Sequence, residues 1–517
     1  MIIDYFDRGA MLAGDGPCLT NAADGRTWTY PQVRELTLRA ANGLAREGVG
    51  LGCRGAVLSG NDALAFVATL GLMRAGTAWI PLNPRFSIED NGAILERFDC
   101  DVLFYHGAYR DSIARLRELA PRIRLFVCID GPAGGHPGFE EWASGYPDDE
   151  VDIPFDRDAV IGIQPTGGTT GRPKGVMLTH QSFEYLVGNY LAVAPFEGRP
   201  RYLAAAPLTH AAGFVMQHIL AQGGHAVVLP GADPGGILSA IPRYRITHLT
   251  VVPTILYMML AHPEVRSHDY GSLRYCFYGG APTAPEKLRE AIGVFGPVMM
   301  QILGQTEASM PITCLAPADH LDGDRPASDE RLMSCGRAAP LCRIAAMDDE
   351  GRLLPPGEVG ELVIRSSGVM KGYYKDPHAT EAAFTHGWLR SGDLVKIDAQ
   401  GFVTIVDRKK DMIITGGFNV YSVEVEAAVM AHPAVQDCAV IGIPDDVWGE
   451  SILAVVELRP GAAVEPEHLI RFCRARIGAM KSPRRIEFVE TLPRSAVGKL
   501  LKRTLREQYW QRHRRAV

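Results

Sequence analysis

Short apolar segments alternate with helical segments along the first half of the chain, and this alternation limits the fold more than any other feature. Apolar residues recur with the spacing of one helix face between positions 33 and 44. The strand-like segment RGAVLSG (54–60), a helical segment (64–74) and the apolar segment TAWIPL (77–82) follow. Such alternation predicts an α/β fold in which the sheets are largely parallel.

The same alternation of strand-like and helical segments continues to about residue 280 and then changes. It recurs in VIGI (160–163), AVVL (226–229), HLTVV (248–252) and LRYCFYGG (273–280). From about residue 360, strands and Gly- or Asp-containing turns dominate. Beyond the charged segment DRKKD, helices and strands alternate in a pattern that predicts a small α+β domain of about 105 residues.

Charge and cysteine content exclude several classes of protein. The net charge is −6, which argues against a chain that holds nucleic acid by bulk positive charge. Ten cysteines include no C-x-x-C pair, so neither a zinc-finger spacing nor a redox pair is present.

The N-terminal segment carries Asp4 and Asp7 and lacks a basic start, unlike a secretory signal. We therefore expect a soluble, cytoplasmic protein.

A glycine-rich segment, QPTGGTTGRPKG (164–175), follows the apolar strand VIGI. Its glycines allow the backbone to turn several N–H groups toward one point, where threonine hydroxyls and a lysine add donors. The spacing is not that of a Walker A loop. An ordinary Gly/Thr turn is the alternative, but a polyphosphate suits the donors better. The residues are Thr166, Gly167, Gly168, Thr169, Thr170, Gly171 and Lys174.

This segment resembles the phosphate-binding signature of the adenylate-forming superfamily, which includes acyl-CoA synthetases, and further segments match that family in order. They are MRAGTAWIPLNP (73–84), PLTHAAG (207–213), YGGAP (278–282), LGQTE (303–307), GELVIR with GYY (360–374), SGDL (391–394), DRKKDMI (407–413) and PRSAVGK (493–499). The resemblance implies an N-terminal adenylate-forming domain (1–406), a hinge (407–411) containing Lys410, and a smaller, mobile C-terminal lid (412–517).

The resemblance also implies how ATP and Mg²⁺ are bound. Glu307 and Thr166 would hold Mg²⁺, and Thr306 would contact the α-phosphate. Lys174 would act from the glycine-rich loop, and Lys499 would be inserted beside the α-phosphate as the principal catalytic residue of adenylation. A surface lysine in a basic tail is the alternative interpretation of Lys499.

Further nucleotide contacts follow from the same matches. Asp393 would accept both ribose hydroxyls, and Arg408 would reach the ribose or a phosphate. The backbone at Gly280 and Ala281 would form a flat shelf for adenine. Gly304 and Gln305, which precede Thr306, complete the predicted nucleotide contacts.

The acceptor and the acyl group are assigned in the same way. GGFNVYSVEVE (416–426) resembles the version found in CoA ligases, so Gly416, Gly417 and Tyr421 would flank the route of coenzyme A. The predicted acyl pocket contains His210, Ala212, Phe214, Tyr278, Leu303 and Met310. A buried core histidine is the alternative for His210.

The chain departs from the family at two positions. Gly167 stands where a serine is usual, which removes a hydroxyl donor from the phosphate loop. Leu303 stands where an aromatic residue usually packs on adenine, which puts nucleotide affinity in question.

The resemblance thus implies an ATP-dependent acyl-CoA ligase, and we expect its substrate to be a medium- or long-chain fatty acid. Alternatives are an alicyclic, aryl or steroid side-chain acid, an enzyme that loads a carrier protein, and a non-catalytic adenylate-binding regulator. The basic tail (499–517) fits either peripheral membrane contact or a solvated terminal helix. No nucleic-acid partner is expected, and a homodimer is the default for a soluble oligomer.

Overall fold

The computed structural model describes residues 1–166, 173–494 and 500–516, with side chains described up to residue 511. Of the predicted site residues, those that lie outside the described part are Gly167, Gly168, Thr169, Thr170, Gly171 and Lys499.

Helices occur along the whole described chain. They are α1 (Ile2–Ala13), α2 (Tyr30–Arg46), α3 (Ala63–Arg74), α4 (Ile88–Arg97), α5 (Ile113–Leu119), α6 (Phe139–Ser144), α7 (His180–Val193), α8 (Ala211–Leu220), α9 (Pro234–Tyr244), α10 (Pro253–Leu260), α11 (Pro285–Phe295), α12 (Asp329–Leu332), α13 (Pro377–Ala382), α14 (Ser422–Met430), α15 (Pro466–Lys481) and α16 (Lys502–Ala516).

The strands alternate with the helices in the first half of the chain and dominate from β12 to β25. They are β1 (Pro17–Asn21), β2 (Thr27–Thr29), β3 (Arg54–Leu58), β4 (Ala78–Pro81), β5 (Val102–Tyr105), β6 (Leu125–Cys128), β7 (Val160–Thr166), β8 (Lys174–Thr179), β9 (Arg201–Ala204), β10 (His225–Val228), β11 (His248–Val251), β12 (Tyr275–Gly279), β13 (Met299–Gln305), β14 (Ala308–Leu315), β15 (Leu321–Asp322), β16 (Arg325–Pro326), β17 (Arg337–Ala338), β18 (Arg343–Met347), β19 (Val359–Arg365), β20 (Gly372–Tyr373), β21 (Phe384–Thr385), β22 (Trp388–Ile397), β23 (Val403–Arg408), β24 (Ile413–Thr415), β25 (Phe418–Val420), β26 (Val435–Asp445), β27 (Gly449–Leu458) and β28 (Arg485–Val489).

Two large sheets contain most strands of the first half. The nine-stranded sheet has the order β17-β14-β13-β12-β11-β9-β10-β1-β2, and its six strands from β13 to β1 are parallel. The seven-stranded sheet has the order β20-β8-β7-β4-β3-β5-β6, and its five strands from β7 to β6 are parallel. The predicted α/β fold is confirmed.

Aromatic side chains pack in the layer that covers these sheets. Phe214 of α8 stacks on Phe183 of α7, with ring centroids 5.6 Å apart, and lies 6.2 Å from the ring of Trp79 on β4. Because Trp79 belongs to the seven-stranded sheet and α8 follows β9 of the nine-stranded sheet, these rings lie where elements of the two sheets meet.

A smaller sheet forms the core of the C-terminal region. It has the order β25-β24-β27-β26, with β28 added in parallel to β27. Buried residues of α14, α15 and these strands pack together, among them Val425, Leu469 and Val440. Helix α14 occupies the predicted residues 422–430. Separate small sheets contain β18-β19-β22-β21 with β23 on β22, and β15-β16.

The chain divides into two compact units. The first contains Met1–Ile344, Ile364–Leu389 and Gly401–Val403, and the second contains Ala345–Val363, Arg390–Gln400 and Thr404–Val517. The second unit thus includes two segments that precede the predicted hinge at 407–411. The domain boundaries given above remain predictions.

Two further findings concern the predicted class of protein. All ten cysteines are described, none forms a disulfide, and nine are buried. Within residues 1–166, 173–494 and 500–516, no helix has both the length and the apolar character needed to cross a bilayer.

Buried and half-buried histidines of the first unit predict that the fold loses stability in acid. Burial lowers the pKa of His248 to about 3 and of His225 and His320 to about 4, and lowers that of His218 well below its usual value. Below about pH 6.5 the unfolded chain binds protons that the folded chain excludes, so the free energy of unfolding falls as the pH falls toward 4.

A single substitution tests this expectation. His218 stacks on Tyr190 with ring centroids 4.6 Å apart, so His218→Phe keeps a ring there and removes one titratable group. Urea unfolding between pH 7 and 4 should show a slope that is smaller by about 1.4 kcal/mol per pH unit in the variant. An unchanged slope would contradict the burial of a neutral imidazole.

Candidate functional site

The predicted motifs of the nine-stranded sheet lie at one edge. Strands β9, β11, β12 and β13 are parallel neighbours, so their carboxyl ends point the same way. PLTH follows β9, YGGAP ends β12, and GQTE ends β13. The strand order changes direction between β9 and β11, and ligands of open α/β sheets bind at the carboxyl edge beside such a point.

Glu307 lies in a tight hairpin turn at this edge. Gln305 of β13 pairs with Ala308 of β14, which leaves Thr306 and Glu307 as the two turn residues. A Cβ atom added to Gly304 would lie 2.6 Å from the Cβ of Met310, so the strands approach too closely there for a side chain. The hairpin therefore presents Thr306 and Glu307 together, both half-buried.

A row of three side chains crosses the edge of the seven-stranded sheet. Thr166 on β7 lies directly opposite Lys174 on β8, and Tyr373 on β20 lies opposite Val176. Opposite residues of an antiparallel pair share a face, as do residues two apart on one strand. Thr166, Lys174 and Tyr373 therefore project from the same face of the sheet.

Tyr373 contacts both Lys174 and Glu307. The Lys174 ammonium nitrogen lies 4.6 Å from the centre of the Tyr373 ring, and the Tyr373 hydroxyl donates to Glu307 Oε1 over 2.9 Å. Burial, and secondly the Glu307 carboxylate, raise the pKa of Tyr373, so its hydroxyl keeps the proton at neutral pH. Tyr373 thus links Lys174 of the glycine-rich segment to Glu307 of the GQTE hairpin.

The side chains present fit a magnesium ion. Within the described chain, only Tyr373 donates a hydrogen bond to the Glu307 carboxylate, so Oε2 keeps its capacity to bind a cation. Carboxylate and hydroxyl oxygens, such as those of Glu307 and Thr166, are the donors that Mg²⁺ prefers. Mg²⁺ bound to them would offset negative charge on a nucleotide phosphate.

The backbone segment that is predicted to receive adenine is exposed. Gly280 and Ala281 are exposed beyond the end of β12, and Gly280 has a φ of +82°, which favours glycine. A Cβ atom at Gly279 would lie 2.2 Å from the carbonyl oxygen of Ile302 on the neighbouring strand. This close approach holds β12 against β13 directly beside the shelf.

The residues predicted for the acyl pocket differ in accessibility. Phe214, Leu303 and Met310 are half-buried, whereas Ala212 and Tyr278 are fully buried. Their roles toward an acyl group remain predictions.

The hydroxyl of Tyr278 is engaged within the core. Nδ1 of His320 lies 2.9 Å from the carbonyl oxygen of Ala316 and therefore carries the proton of the neutral ring. The Tyr278 hydroxyl then donates to His320 Nε2 over 2.8 Å.

His210 precedes α8 in a loop that Asn61 holds in place. The Asn61 side chain donates to the carbonyl of Ala206 and accepts from the N–H of Leu208. His210 is exposed, so it is not the buried core histidine of the alternative interpretation, and its Nδ1 lies 2.9 Å from the hydroxyl oxygen of Thr209. Surrounding protein atoms, and secondly the charge of Arg85, lower the pKa of His210, which favours a neutral ring at pH 7.

In the second unit, the structure brings together the two residues predicted to contact ribose. Arg408 Nε lies 2.7 Å from Asp393 Oδ1; the carboxylate is almost fully buried, and the guanidinium is partly exposed. The Asp393 N–H donates to the hydroxyl of Ser391, and Gly392 has a φ of +76°. The turn that carries Asp393 therefore depends on a glycine.

Glu361 supports this turn, a role that the sequence did not reveal. Its Oε1 accepts the N–H of Gly392 over 3.1 Å, and its Oε2 accepts from Arg390 Nε (2.8 Å) and Lys409 Nζ (3.1 Å). Burial acts to raise the pKa of Glu361, but Arg390 and Lys409 lower it overall, so the carboxylate stays charged. Glu361 thereby joins Arg390 and Gly392, which precede Asp393, to Lys409, which follows Arg408.

We expect Glu361→Gln to weaken recognition of ribose by the second unit. Loss of charge loosens the Gly392 turn and Lys409, so discrimination between ATP and 3′-deoxy-ATP should fall about three- to tenfold in equilibrium binding. Glu350→Gln, an exposed control that weakens a surface contact with Arg352, should leave the ratio of ATP to 3′-deoxy-ATP affinity unchanged. Equal ratios in both variants would refute the positioning role.

The remaining predicted residues that the structure describes lie in two turns of the second unit and directly before α14. Gly416 and Gly417, with φ of +57° and +79°, form the turn between β24 and β25, and Tyr421 precedes α14. Lys410 has an exposed side chain, and its carbonyl accepts a hydrogen bond from Arg506 of α16. Their assigned roles toward coenzyme A and hinge motion remain predictions.

Comparison with known proteins defines the family. The model of the AMP-binding enzymes matches residues 6–374, and that of their C-terminal domain matches residues 424–499. The chain therefore belongs to the AMP-binding enzyme family, and the predicted resemblance to adenylate-forming enzymes is confirmed.

Individual relatives refine the comparison. A medium/long-chain-fatty-acid–CoA ligase of Mycobacterium tuberculosis is 41% identical over 71% of this chain and 64% of its own length. A feruloyl-CoA synthase of Amycolatopsis sp is 35% identical over 94% of both chains. The solved structure of the amide bond synthetase McbA from Marinactinospora thermotolerans is 31% identical, with a TM-score of 0.88 over 98% of this chain and 100% of that one.

Proposed function

We propose that the protein is an AMP-forming acid–thiol ligase. A carboxylate attacks the α-phosphate of ATP to give an acyl-adenylate and pyrophosphate, and the thiol of coenzyme A then displaces AMP to give a thioester. The observation that carries the proposal is the contact of Tyr373 with both Lys174 and Glu307 in a member of this family. Two groups suited to a triphosphate and its metal are thereby held together.

The main residues predicted to contact ATP then have a place in the reaction. Glu307 and Thr166 bind Mg²⁺, and the glycine-rich loop with Lys174 and Thr306 binds the phosphates. The shelf at Gly280 and Ala281 receives adenine. Asp393 and Arg408 bind ribose, and Lys499 acts in adenylation.

A medium- or long-chain fatty acid is the proposed substrate. The half-buried side chains of Phe214, Leu303 and Met310 are apolar, so the predicted pocket offers contacts to an alkyl chain. The fatty-acid ligase with 41% identity supports the same class.

An aryl acid is the second candidate. Phe214 packs with Phe183 and Trp79, and such aromatic rings also suit a flat aromatic substrate. The feruloyl-CoA synthase relative, which aligns with 94% of this chain, supports this alternative.

A panel of acids separates the candidates. Release of AMP should be measured with decanoate, palmitate, ferulate and acetate at equal concentration in the presence of Mg²⁺, ATP and CoA. The proposal predicts the largest kcat/KM with decanoate or palmitate. A larger value with ferulate would replace the fatty acid by the aryl acid, and the largest value with acetate would contradict both.

The acceptor requires a second comparison. Since a related structure is an amide bond synthetase and some adenylating enzymes load carrier proteins, CoA, a simple amine and a carrier protein should each be offered to the adenylated enzyme. The proposal predicts the thioester of CoA as the main product. Cytoplasmic location, homodimer formation and membrane contact by the tail remain predictions.

A further inference from the structure

Tyr373 lies beside Glu307 because two backbone segments pair with each other. The N–H of Met370 donates to the carbonyl of Glu307, and the N–H of Ser309 donates to the carbonyl of Gly368, each over 2.9 Å. Strand β20 begins two residues after Met370 and pairs with β8. One short stretch of chain is therefore attached to the GQTE hairpin at one end and to the strand of Lys174 at the other.

The ring and the hydroxyl of Tyr373 contact different residues. The ring faces the Lys174 ammonium, whose attraction to an aromatic face restricts where the flexible lysine stem can place its charge. The hydroxyl occupies Oε1 of Glu307 and thus orients the carboxylate. A metal-binding group that is oriented by an outer hydrogen bond binds its metal more tightly.

We propose that Tyr373 is a positioning residue for adenylation, which sets the carboxylate of Glu307 toward Mg²⁺ and the ammonium of Lys174 toward the phosphates of ATP. This inference rests on the proposed function, because it takes Glu307 to be a magnesium ligand. The hydroxyl orients the carboxylate that binds the metal, and the ring restricts the position of the lysine ammonium.

Two substitutions separate these contributions. Tyr373→Phe keeps the ring and removes the hydroxyl, so the Mg²⁺ concentration for half-maximal ATP binding should rise about tenfold, with little change in ATP affinity at saturating Mg²⁺. Tyr373→Leu removes the ring as well, so ATP affinity at saturating Mg²⁺ should also fall about two- to fivefold. Calorimetric titration of the intact protein measures both quantities without turnover.

Tyr374 supplies a matched control. It is also half-buried, but its hydroxyl donates to Asp99 over 2.6 Å and its ring packs on Phe98. Tyr374→Phe therefore removes a comparable hydrogen bond from the same short segment. It should leave the Mg²⁺ dependence of ATP binding unchanged.

The outcomes distinguish this inference from the proposed function. Equal Mg²⁺ dependence in Tyr373→Phe, Tyr374→Phe and the unsubstituted protein would overturn the role of Tyr373 while leaving the proposed function intact. Absence of Mg²⁺-dependent ATP binding in the unsubstituted protein would overturn both. If Tyr373→Leu fails to fold, the comparison of the two phenylalanine variants decides the question.

Discussion

Glu307→Gln should reduce carboxylate-dependent exchange between ATP and pyrophosphate by about 100- to 1,000-fold at fixed Mg²⁺. The amide keeps the shape and still accepts a hydrogen bond from Tyr373, but it loses the charge that binds the cation. A metal ion that stabilises transition-state charge contributes several kcal/mol, and each 1.36 kcal/mol corresponds to a factor of ten in rate.

The control for this variant is an exposed glutamate of the same unit. Glu286 lies in the first turn of α11, and Glu286→Gln should leave the exchange rate unchanged. Excess Mg²⁺ or Mn²⁺ should partly restore Glu307→Gln. Exchange at the unsubstituted rate, with ordinary Mg²⁺ dependence, would refute Glu307 as a metal ligand.

Lys499→Ala should reduce the first half-reaction by about 100- to 1,000-fold while leaving the second largely intact. A positive charge placed beside negative charge that develops in the transition state accelerates a reaction by about this factor. The family resemblance assigns this task to Lys499 in adenylation alone. The variant should still transfer the acyl group to CoA from a chemically prepared acyl-adenylate. Separate assays of ATP–pyrophosphate exchange and of thioester formation measure the two steps.

An exposed lysine of the second unit serves as the control. Lys396→Ala removes an equal charge from the surface and should alter neither half-reaction. An equal loss of both half-reactions in Lys499→Ala would show that the lysine supports folding or substrate binding in general. The assignment to adenylation would then be wrong.

Much of the fold is predictable from local patterns. The spacing of apolar residues predicts α2, and the helical segment before TAWIPL predicts α3, where the structure places helices at Tyr30–Arg46 and Ala63–Arg74. The side chain of Asp62 accepts the N–H groups of Leu64 and Ala65 and so marks where α3 begins. Signals of this kind lie within a few residues of the element that they specify.

The contacts of the site are not predictable in this way, because they join distant parts of the chain. Tyr373 and Glu307 are separated by 66 residues, and Tyr373 is still farther from Lys174 in sequence. The motifs GYY and GELVIR are visible in the sequence, but no periodicity indicates that Tyr373 reaches Glu307 or that Glu361 holds the Gly392 turn. Strand register and sheet order bring each pair together.

The solvent exposure of the predicted pocket residues is not predictable from the sequence either. Tyr278 precedes the adenine shelf and was predicted to line the acyl pocket, yet its hydroxyl is bonded to His320 in the core. Alternation of side chains along a strand assigns residues to opposite faces, but it does not say which face is covered. That depends on the helices packed against the sheet.

The most direct test measures AMP and acyl-CoA in one reaction that contains the purified protein, Mg²⁺, ATP, CoA and decanoate or palmitate. An AMP-forming acid–thiol ligase should release one AMP and form one acyl-CoA thioester per turnover, and both products should disappear when the acid is omitted. AMP without thioester, or no acid-dependent AMP with any acid of the panel, would contradict the proposed function.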